Sequence, residues 1–406
     1  MREKTAGGLV LLGVLLVAVN LRAAVTSVGA LLEEVMGGLH LNPSMAGVVT
    51  MLPTLVFAAV GALTPRLARR FGIRTLFGSA MAVLAIGQVL RALTGSPVVF
   101  LLTSALALSG IAVANVVLPA YVRRAFPHRA GLVTGAYTMT LTLGVSVAAA
   151  TSVPMAHAFG SWRDGIGAWS LLAAVAVVPW LVASRAGGPV APPRSTVDSP
   201  VAPSRTRLGW LMALYFGAQS LSGYAVMGWL AHLFRDSGYS PSTSGLLLAG
   251  VTAVGVPIAL GMPTLVNRFA NQRPLIVVLG VAMVLSYVGL AVAPYRGALL
   301  WVVLIAIGQG AFPLVLTLIG LRARTEAGTV ALSAFAQSVG YVIAAFGPLA
   351  VGVLYDVTGG WTVPLAVLIA VAIGQTAAGW AVGRRRFLED EASISRKRLT
   401  PHPHTP

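Results

Sequence analysis

The sequence predicts an all-α membrane protein in which twelve transmembrane helices form two bundles of six. Hydrophobic residues make up 57% of the 406-residue chain and charged residues only 10%. Soluble domains contain about 25% charged residues, so this composition excludes a soluble protein. The apolar runs are also about 20 residues long, which is the length that crosses a bilayer as a helix.

Each predicted span is an apolar run bounded by charged residues or by turn-forming residues. The runs cover 7–32, 44–65, 75–93, 97–121, 129–153, 165–184, 208–232, 242–265, 274–293, 297–320, 328–353 and 361–383. The first is not a cleaved signal peptide, because its apolar core is too long and contains an arginine.

The twelve spans divide into two groups around a proline-rich stretch that has no apolar period. We therefore expect a six-helix bundle at 1–184, a cytoplasmic linker at 185–207, a second bundle at 208–383 and a cytoplasmic tail at 384–406.

An internal repeat relates the two groups of spans. NPSMAG (42–47) corresponds to SPSTSG (240–245), and PRLARRFG (65–72) corresponds to PTLVNRFA (263–270), at the same offset of 198 residues. Such a repeat predicts two similar bundles related by an axis along the membrane normal, with a central cavity near the midplane.

The distribution of basic residues predicts the orientation in the membrane. Basic residues are concentrated in the amino-terminal segment, the alternate connections that follow it and the tail, whereas the other connections hold only Arg91, Arg163, Arg235 and Arg296. By the positive-inside rule both termini are cytoplasmic. The net charge of +17 is therefore a topology signal, and no organised basic groove indicates nucleic-acid binding. The arginine- and alanine-rich composition is typical of a GC-rich bacterial genome, which places the protein in a bacterial cytoplasmic membrane.

Arg22 is a charged residue near the middle of the first span, about 22 Å from its inner end. A charge at that depth costs about 2.5 to 3.5 kcal/mol on insertion scales. None of the eleven acidic residues lies at the same depth, and Glu33 lies about 16 Å farther out. A guanidinium group presents five donors that suit planar anions, so we interpret Arg22 as the anion anchor of the cavity. The alternative is a structural arginine bonded to carbonyls and amides of neighbouring helices.

Thr26 lies one turn after Arg22 on the same helical face, so we expect it beside the same cavity. Asn20 lies on another face, where we expect it to bond a neighbouring helix.

Six segments carry a family resemblance. They are NLRAAVTSVGALL (20–32), GALTPRLARRFGIR (61–74), NVVLPAYVRRAFPHRAGLVTGAYT (115–138), QSLSGYAVMGWL (219–230), GQGAFPLVLTLIGLRA (308–323) and AQSVGYVIAAFGPLAVGVLYDVTGGW (336–361). With them the sequence resembles the major facilitator superfamily (MFS), and more narrowly its cyanate permease and nitroimidazole transporter family. The resemblance implies a secondary transporter with the MFS fold. One departure is Arg69, which stands where the family's first inner-loop motif usually has an aspartate.

The resemblance also implies which spans line the cavity: 1, 4, 7 and 10, with parts of 5, 8 and 11. Polar residues at the depth of Arg22 on these spans are the candidate substrate ligands, and each has interhelical bonding as its alternative role, worth about 0.6 kcal/mol on average. The candidates are Arg22, Thr26, Asn115, Tyr137, Gln219, Tyr224, Gln309, Gln337 and Tyr341.

Four residues are candidates for gating. Arg69 and Arg70 lie in the inner-loop motif, and Asp356 lies in the predicted last outer loop, where it is a turn or gate residue. Trp229, near the outer end of the seventh span, either closes over substrate or anchors the helix at the membrane interface, and the known interfacial preference of tryptophan favours the anchor.

Other functions find little support in the sequence. No GxxxxGK[ST] loop is present, and the spans hold no paired carboxylates or closely spaced histidines, so we expect neither an ATP-driven pump nor an enzyme, and neither a cofactor nor a metal. No buried carboxylate is available to carry a proton, which leaves uniport, anion exchange and symport of a protonated substrate open.

Three functional hypotheses follow from these observations. The first is a monomeric transporter, surrounded by lipid, that moves a small anion or a compact polar nitrogen compound of cyanate-like or nitroaromatic type by alternating access. The second is an exporter of uncharged toxic or drug-like compounds, in which Arg22 only bonds a nitro or carbonyl oxygen. The third is a membrane sensor that binds a ligand without transporting it.

Overall fold

The computed structural model describes residues 2–126, 129–185 and 202–391, and within these ranges the chain forms fifteen α-helices and no strand. The predicted linker and tail fall mostly outside the described residues, so the boundaries drawn at 184, 207 and 383 stay predictions. The first eight helices are α1 (Arg2–Ala30), α2 (Leu32–Leu39), α3 (Pro43–Phe71), α4 (Ile73–Leu93), α5 (Pro97–Ala125), α6 (Ala130–Phe159), α7 (Trp162–Gly167) and α8 (Trp169–Arg185).

A short 3-10 turn, Pro203–Arg205, precedes the second set of helices. These are α9 (Arg207–Asp236), α10 (Pro241–Arg268), α11 (Arg273–Val292), α12 (Ala298–Gln309), α13 (Ala311–Leu321), α14 (Glu326–Thr358) and α15 (Thr362–Val382).

The predicted spans are all present as helices. Within the described ranges, eleven stretches are long and apolar enough to cross a membrane, and α12 and α13 together form one of them. The remaining predicted span is α9, which has 30 residues but falls below that apolar threshold. Its polar side chains include the buried Gln219, Ser220 and Ser222, which face protein and not lipid. The predicted fold class is therefore confirmed.

Two predicted spans are interrupted or end early. α1 ends at Ala30, and α2 follows after Leu31 as a separate short helix. The tenth span breaks at Gly310, between α12 and α13. Pro313 has no N–H to donate to the carbonyl of Gln309, so the α-helical hydrogen-bond ladder cannot continue unbroken there.

The same helix pairs pack in both halves of the chain. In the first half α1 packs on α6 and α8, α4 packs on α5 and α8, and α3 packs on α5. In the second half α9 packs on α14 and α15, α11 packs on α12 and α15, and α10 packs on α12. The two bundles meet at two interfaces, α3 with α14 and α6 with α10. These interfaces are equivalent, because α3 and α10 occupy the same place in their own halves, and so do α6 and α14. This is the packing of a pseudo-two-fold structure.

The bundles touch closely at one end of the molecule, which we call the Glu33 end because α1 ends there. A Cβ added at Gly47 of α3 would lie 3.1 Å from the Cα of Leu349 of α14. A Cβ added at Gly245 of α10 would lie 2.5 Å from the carbonyl oxygen of Ala149 of α6. Only glycine permits backbones to approach this closely, as is common between membrane helices.

The bundles separate toward the other end, which we call the Arg70 end because α3 ends there. Gly61 lies 14 residues after Gly47, nearly on the same face of α3, and a Cβ there would meet only Val116 of its own bundle among the described residues. Gly135 lies 14 residues before Ala149 on α6, and no described atom lies within 4 Å of its added Cβ. Over about 21 Å of helix, both cross-bundle pairs therefore change from contact to separation. The described cross-bundle contacts of these two helix pairs are therefore tighter at the Glu33 end than at the Arg70 end.

Candidate functional site

Arg22 lies where the two bundles meet. Its Nη1 donates a hydrogen bond of 2.8 Å to the hydroxyl of Tyr224, on α9 of the other bundle. Its guanidinium carbon is 5.8 Å from the centre of the same ring. Tyr341, on α14, also interacts with the guanidinium. Arg22, Tyr224 and Tyr341, which we call the Arg22 cluster, thus join three helices from both bundles.

The Arg22 cluster contains no negative charge. The ion pairs among the described residues lie near the two ends of the molecule, at His232 with Asp236, Arg235 with Glu33 and Glu34, and Arg324 with Asp390. Arg22 is half-buried, and its partners are neutral phenols. A guanidinium group has five N–H donors, and one of them is bonded to Tyr224. The arrangement therefore favours an anionic or strongly accepting group beside Arg22.

Aromatic packing holds Tyr341 in place beside Arg22. The ring of Phe216, on α9, lies 5.4 Å from that of Tyr341 at an interplanar angle of 90°. Edge-to-face packing of this kind is typical of stable aromatic pairs. One turn earlier on α14, the amide of Gln337 donates to the hydroxyl of Ser333 at 2.7 Å. The amide of Gln337 therefore bonds within its own helix.

Three glutamines form a separate chain inside the second bundle. Gln375 donates to Gln219 at 2.7 Å, and Gln219 donates to Gln309 at 2.6 Å. Gln219 is buried and bonded on both sides, as the interhelical alternative predicts. The Nε2 of Gln309 is buried and has no hydrogen-bond partner in the described part of the chain. Gln375 was not predicted from the sequence, and the only signal for it is one long polar side chain in the otherwise apolar α15.

The other predicted ligands are not brought into the Arg22 cluster by a described contact. Thr26 is fully buried, and its hydroxyl has no partner among the described residues. Asn115 is half-buried on α5, and Tyr137 on α6 packs against the apolar core that also contains Tyr224. Their roles as substrate ligands stay predictions. Asn20 donates to the carbonyl of Leu172 on α8 at 3.3 Å, so its predicted bond to a neighbouring helix is confirmed.

A polar lock that the sequence did not reveal joins the bundles at the Glu33 end. Nη1 of Arg235 lies 3.1 Å from Glu33 and 2.8 Å from Glu34, and its Nη2 donates to the carbonyl of Ala30 at 2.9 Å. Beside it, Ser44 of α3 donates to Asp356 of α14 at 2.6 Å. We call these contacts the outer lock. From the sequence, Asp356 was placed in a loop, which is wrong, because α14 continues to Thr358.

The remaining gate candidates have different environments. Trp229 is buried, and its indole donates to the carbonyl of Pro348 on α14 at 3.0 Å. The interface-anchor interpretation of Trp229 is therefore wrong, because the side chain fastens α9 to α14 inside the second bundle. Arg70 is exposed, with its guanidinium carbon 5.4 Å from the ring centre of Phe71. The side chain of Arg69 lies outside the described part. Gating by these residues stays a prediction.

No group of three or more His, Asp or Glu side chains that could hold a metal ion occurs in the part of the chain that the structure describes. The chemistry available at the Arg22 cluster is therefore hydrogen bonding and charge pairing with a bound molecule.

Comparison with known proteins agrees with this fold. The family model described as Major Facilitator Superfamily matches residues 10–348. An uncharacterized transporter, YycB, of Bacillus subtilis (strain 168) is 32% identical over 93% of this chain and 94% of its own. The 2-nitroimidazole transporter of Escherichia coli (strain K12) is 31% identical over 92% and 94%. The cyanate transport protein CynX of the same strain is 28% identical over 90% and 94%.

Solved structures share the fold at low sequence identity. The nucleoside transporter NupG, as its D323A mutant, superposes with a TM-score of 0.76 at 12% identity, covering 92% of this chain and 99% of that one. The Escherichia coli xylose transporter XylE superposes with a TM-score of 0.75 at 13% identity, covering 95% and 99%. With a family model that covers most of its length and relatives that match it nearly end to end, the chain belongs to the major facilitator superfamily of membrane transporters.

Proposed function

We propose that the chain carries a small anion, or a compact planar nitrogen compound with a strong acceptor group, across a bacterial cytoplasmic membrane by alternating access, with Arg22 as the substrate anchor. The observation that carries the proposal is the cross-bundle position of Arg22. It is half-buried where the two bundles meet, and no acidic side chain pairs with it in the described part of the chain.

The hydrogen bond between Arg22 and Tyr224 gives the proposal a mechanism. This bond links the first bundle to the second. A substrate anion that bonds Arg22 competes with the neutral phenol of Tyr224, because pairing two opposite charges adds coulombic attraction to the hydrogen bond. Substrate binding would thereby replace the hydrogen bond between Arg22 and Tyr224 with a bond to the anion. Loss of that cross-bundle bond would shift the conformational equilibrium toward opening of the Glu33 end.

The positive-inside rule supplies the proposed orientation. Arg66, Arg70 and Arg268 are exposed near the Arg70 end, so this end is assigned to the cytoplasm. The outer lock then faces outward, and both termini are cytoplasmic. One chain supplies both halves of the cavity, so a monomer suffices for transport.

The names of two relatives support the substrate class. One relative is named a 2-nitroimidazole transporter and another a cyanate transport protein. Nitro groups and cyanate are compact acceptors that match a guanidinium group. The half-buried phenol ring of Tyr341 also offers a stacking surface to a flat molecule, which is the observation that keeps export of uncharged nitro compounds as the second candidate function.

Ligand-induced thermal stabilisation of the purified protein tests the proposal. Wild type is compared with Arg22→Gln and with Arg296→Gln, a matched control at an exposed arginine. A charge-assisted hydrogen bond contributes about 1.5 to 3 kcal/mol, so Arg22→Gln is expected to weaken cyanate binding by roughly 10- to 150-fold. Arg296→Gln should bind as wild type does.

The two candidate functions give different results in this assay. If anions stabilise wild type and Arg22→Gln loses the effect while it still folds, the anion anchor is supported. If neutral nitro compounds stabilise wild type and Arg22→Gln equally and anions have no effect, the role of Arg22 is structural and the exporter function is favoured. Uptake into proteoliposomes separates either transporter from a sensor that only binds.

A further inference from the structure

A second buried arginine lies between the bundles, on the Glu33 side of the Arg22 cluster. Arg91 belongs to the last turn of α4, and only 1% of its surface is exposed. From the sequence it was counted among the basic residues of the outer connections, which is wrong, because the side chain turns inward. Its Nη2 donates to the carbonyl of Ala24 on α1 at 3.1 Å and lies 3.5 Å from the side-chain oxygen of Gln88.

Arg91 borders a small, partly open cavity between the two bundles, which we call the Arg91 pocket. Its volume is about 30 Å³, enough for about two water molecules. The first bundle contributes α1, α3, α4 and α5, and α9 closes the pocket from the second bundle. Among the residues that line it are Val28, Thr50, Arg91, Ser104, Tyr224 and Met227.

Three buried donors at or beside the Arg91 pocket lack partners in the described part of the chain, whereas the hydroxyl of Thr50, which also lines the pocket, bonds the carbonyls of Ala46 and Gly47. The Nε of Arg91, the hydroxyl of Ser104 and the Nε2 of Gln88 are buried and have no hydrogen-bond partner among the described residues. Arg91 and Ser104 both line the pocket, and Gln88 lies beside Arg91. Each buried donor left unsatisfied costs about 1 to 3 kcal/mol, and an unpaired buried charge costs several. Two waters would satisfy donors but would not balance the charge of Arg91.

We propose that the Arg91 pocket binds a small monovalent anion, the size of a halide or of a linear triatomic ion. Arg91 and the unpartnered hydroxyl of Ser104 border a space of about 30 Å³, which suits a small ion better than a ring-bearing carboxylate. This site is separate from the one proposed at Arg22, and it does not depend on Arg22 binding the transported substrate.

The Arg91 pocket is complete only when the Glu33 end is closed. Tyr224, Met227 and Gly228 of α9 form its far wall, and a Cβ added at Gly228 would lie 3.0 Å from the Cβ of Thr50 on α3. Opening the Glu33 end withdraws this wall from α3 and exposes the pocket to that side of the membrane. The bound anion therefore stabilises the closed state and is released when the lock opens, because a ligand favours the state that binds it more tightly.

Bromide, as a halide probe, tests the site on the purified full-length protein. Melting temperatures are measured in bromide and in gluconate at constant ionic strength, for wild type, Arg91→Gln, Arg22→Gln and the exposed-arginine control Arg296→Gln. Bromide is expected to raise the melting temperature of wild type, Arg22→Gln and Arg296→Gln saturably, and to leave Arg91→Gln unchanged. Benzoate, which is too large for the pocket, should give no shift that depends on Arg91.

Retention of the bromide shift in Arg91→Gln, or its absence from wild type, would overturn the proposal. Loss in Arg22→Gln with retention in Arg91→Gln would assign the halide to the Arg22 cluster instead. If Arg91→Gln fails to fold, crystals of wild type grown in bromide decide the question through anomalous scattering. The proposal requires an anomalous peak beside the guanidinium of Arg91, and a map without one refutes it.

Discussion

Substitution of Gly245 by alanine should weaken closure of the Glu33 end. The added Cβ would lie 2.5 Å from the carbonyl oxygen of Ala149, which is about 1 Å closer than ordinary van der Waals contact. Backbone atoms on both sides leave no flexible side chain to move aside, so the two helices must separate. Overpacking of this kind costs about 1 to 3 kcal/mol.

In the proposed alternating-access cycle α6 and α10 part when the Glu33 end opens, so the cost of the added Cβ would fall on the closed state alone. The population open at the Glu33 end should therefore rise by roughly 5- to 150-fold relative to wild type. Gly255→Ala is the matched control on the same helix, because no described atom lies within 4 Å of a Cβ added there. That control should leave the equilibrium unchanged.

Cysteine accessibility measures this shift directly, because the natural sequence contains no cysteine. Thr50→Cys places a thiol at a buried site against Gly228, where a membrane-impermeant maleimide enters only after the Glu33 end opens. Labelling of Thr50→Cys should accelerate in the Gly245→Ala background and not in the Gly255→Ala background. Equal labelling rates in the two backgrounds would refute the assignment of α6 and α10 as a closing contact.

Two further predictions concern the two ends of the molecule. Arg235→Gln should open the outer lock, because Arg235 bonds Glu33 and Glu34 across the bundles. Both carboxylates are partly exposed, so we expect the closed state to lose about 1 kcal/mol of stability relative to the open state. Labelling of Thr50→Cys should then be about fivefold faster. An unchanged rate would show that the lock contributes nothing to closure. At the Arg70 end, partial burial opposes ionisation of Glu389, but hydrogen bonds from Arg324 and Thr325 outweigh it and hold the pKa of the carboxyl below its usual value of 4.5. When the pKa of a carboxyl is lower in the folded protein than in the unfolded chain, the ionised carboxylate stabilises the fold at a pH above the unfolded pKa. This stabilisation is lost as the pH falls through the pKa of the folded state. Wild type should therefore lose more thermal stability below about pH 4.5 than Glu389→Gln does. Parallel pH profiles for the two proteins would contradict this assignment.

The twelve spans could be predicted from hydropathy because lipid imposes a long apolar helix on each crossing. The least apolar of them, α9, shows the limit of that signal. Its polar residues Gln219, Ser220 and Tyr224 face the bundle interior and the cavity, so they lower its hydropathy without preventing the crossing.

The position of Arg22 was readable from the sequence, but its partners were not. A lone charge in an apolar run is a local signal, and in the structure this residue lies at the meeting point of the bundles, whereas its role as an anion anchor stays a prediction. The bond to Tyr224 joins residues 202 apart in the sequence and depends on how the bundles pack. The role of Thr26 rests on helical phase, and that of Asn115 on its depth in a span that the family resemblance places at the cavity; no described contact of theirs tests these roles.

Arg91 was misplaced because its position in the sequence resembles that of a loop arginine. It lies at the end of an apolar run, where basic residues usually mark the membrane boundary. A long side chain can turn back along its helix, and here the carbonyl of Ala24, 67 residues away, accepts its hydrogen bond. Burial of such a residue is decided by the neighbouring helix, which hydropathy does not describe.

Uptake of labelled cyanate and labelled 2-nitroimidazole into proteoliposomes by wild type, Arg22→Gln and Arg296→Gln tests the central claim most directly. The account predicts saturable uptake of at least one of the two compounds by wild type and by Arg296→Gln, and background uptake by Arg22→Gln reconstituted at the same density. Saturable uptake by Arg22→Gln at the wild-type rate would contradict the claim that Arg22 anchors the transported molecule.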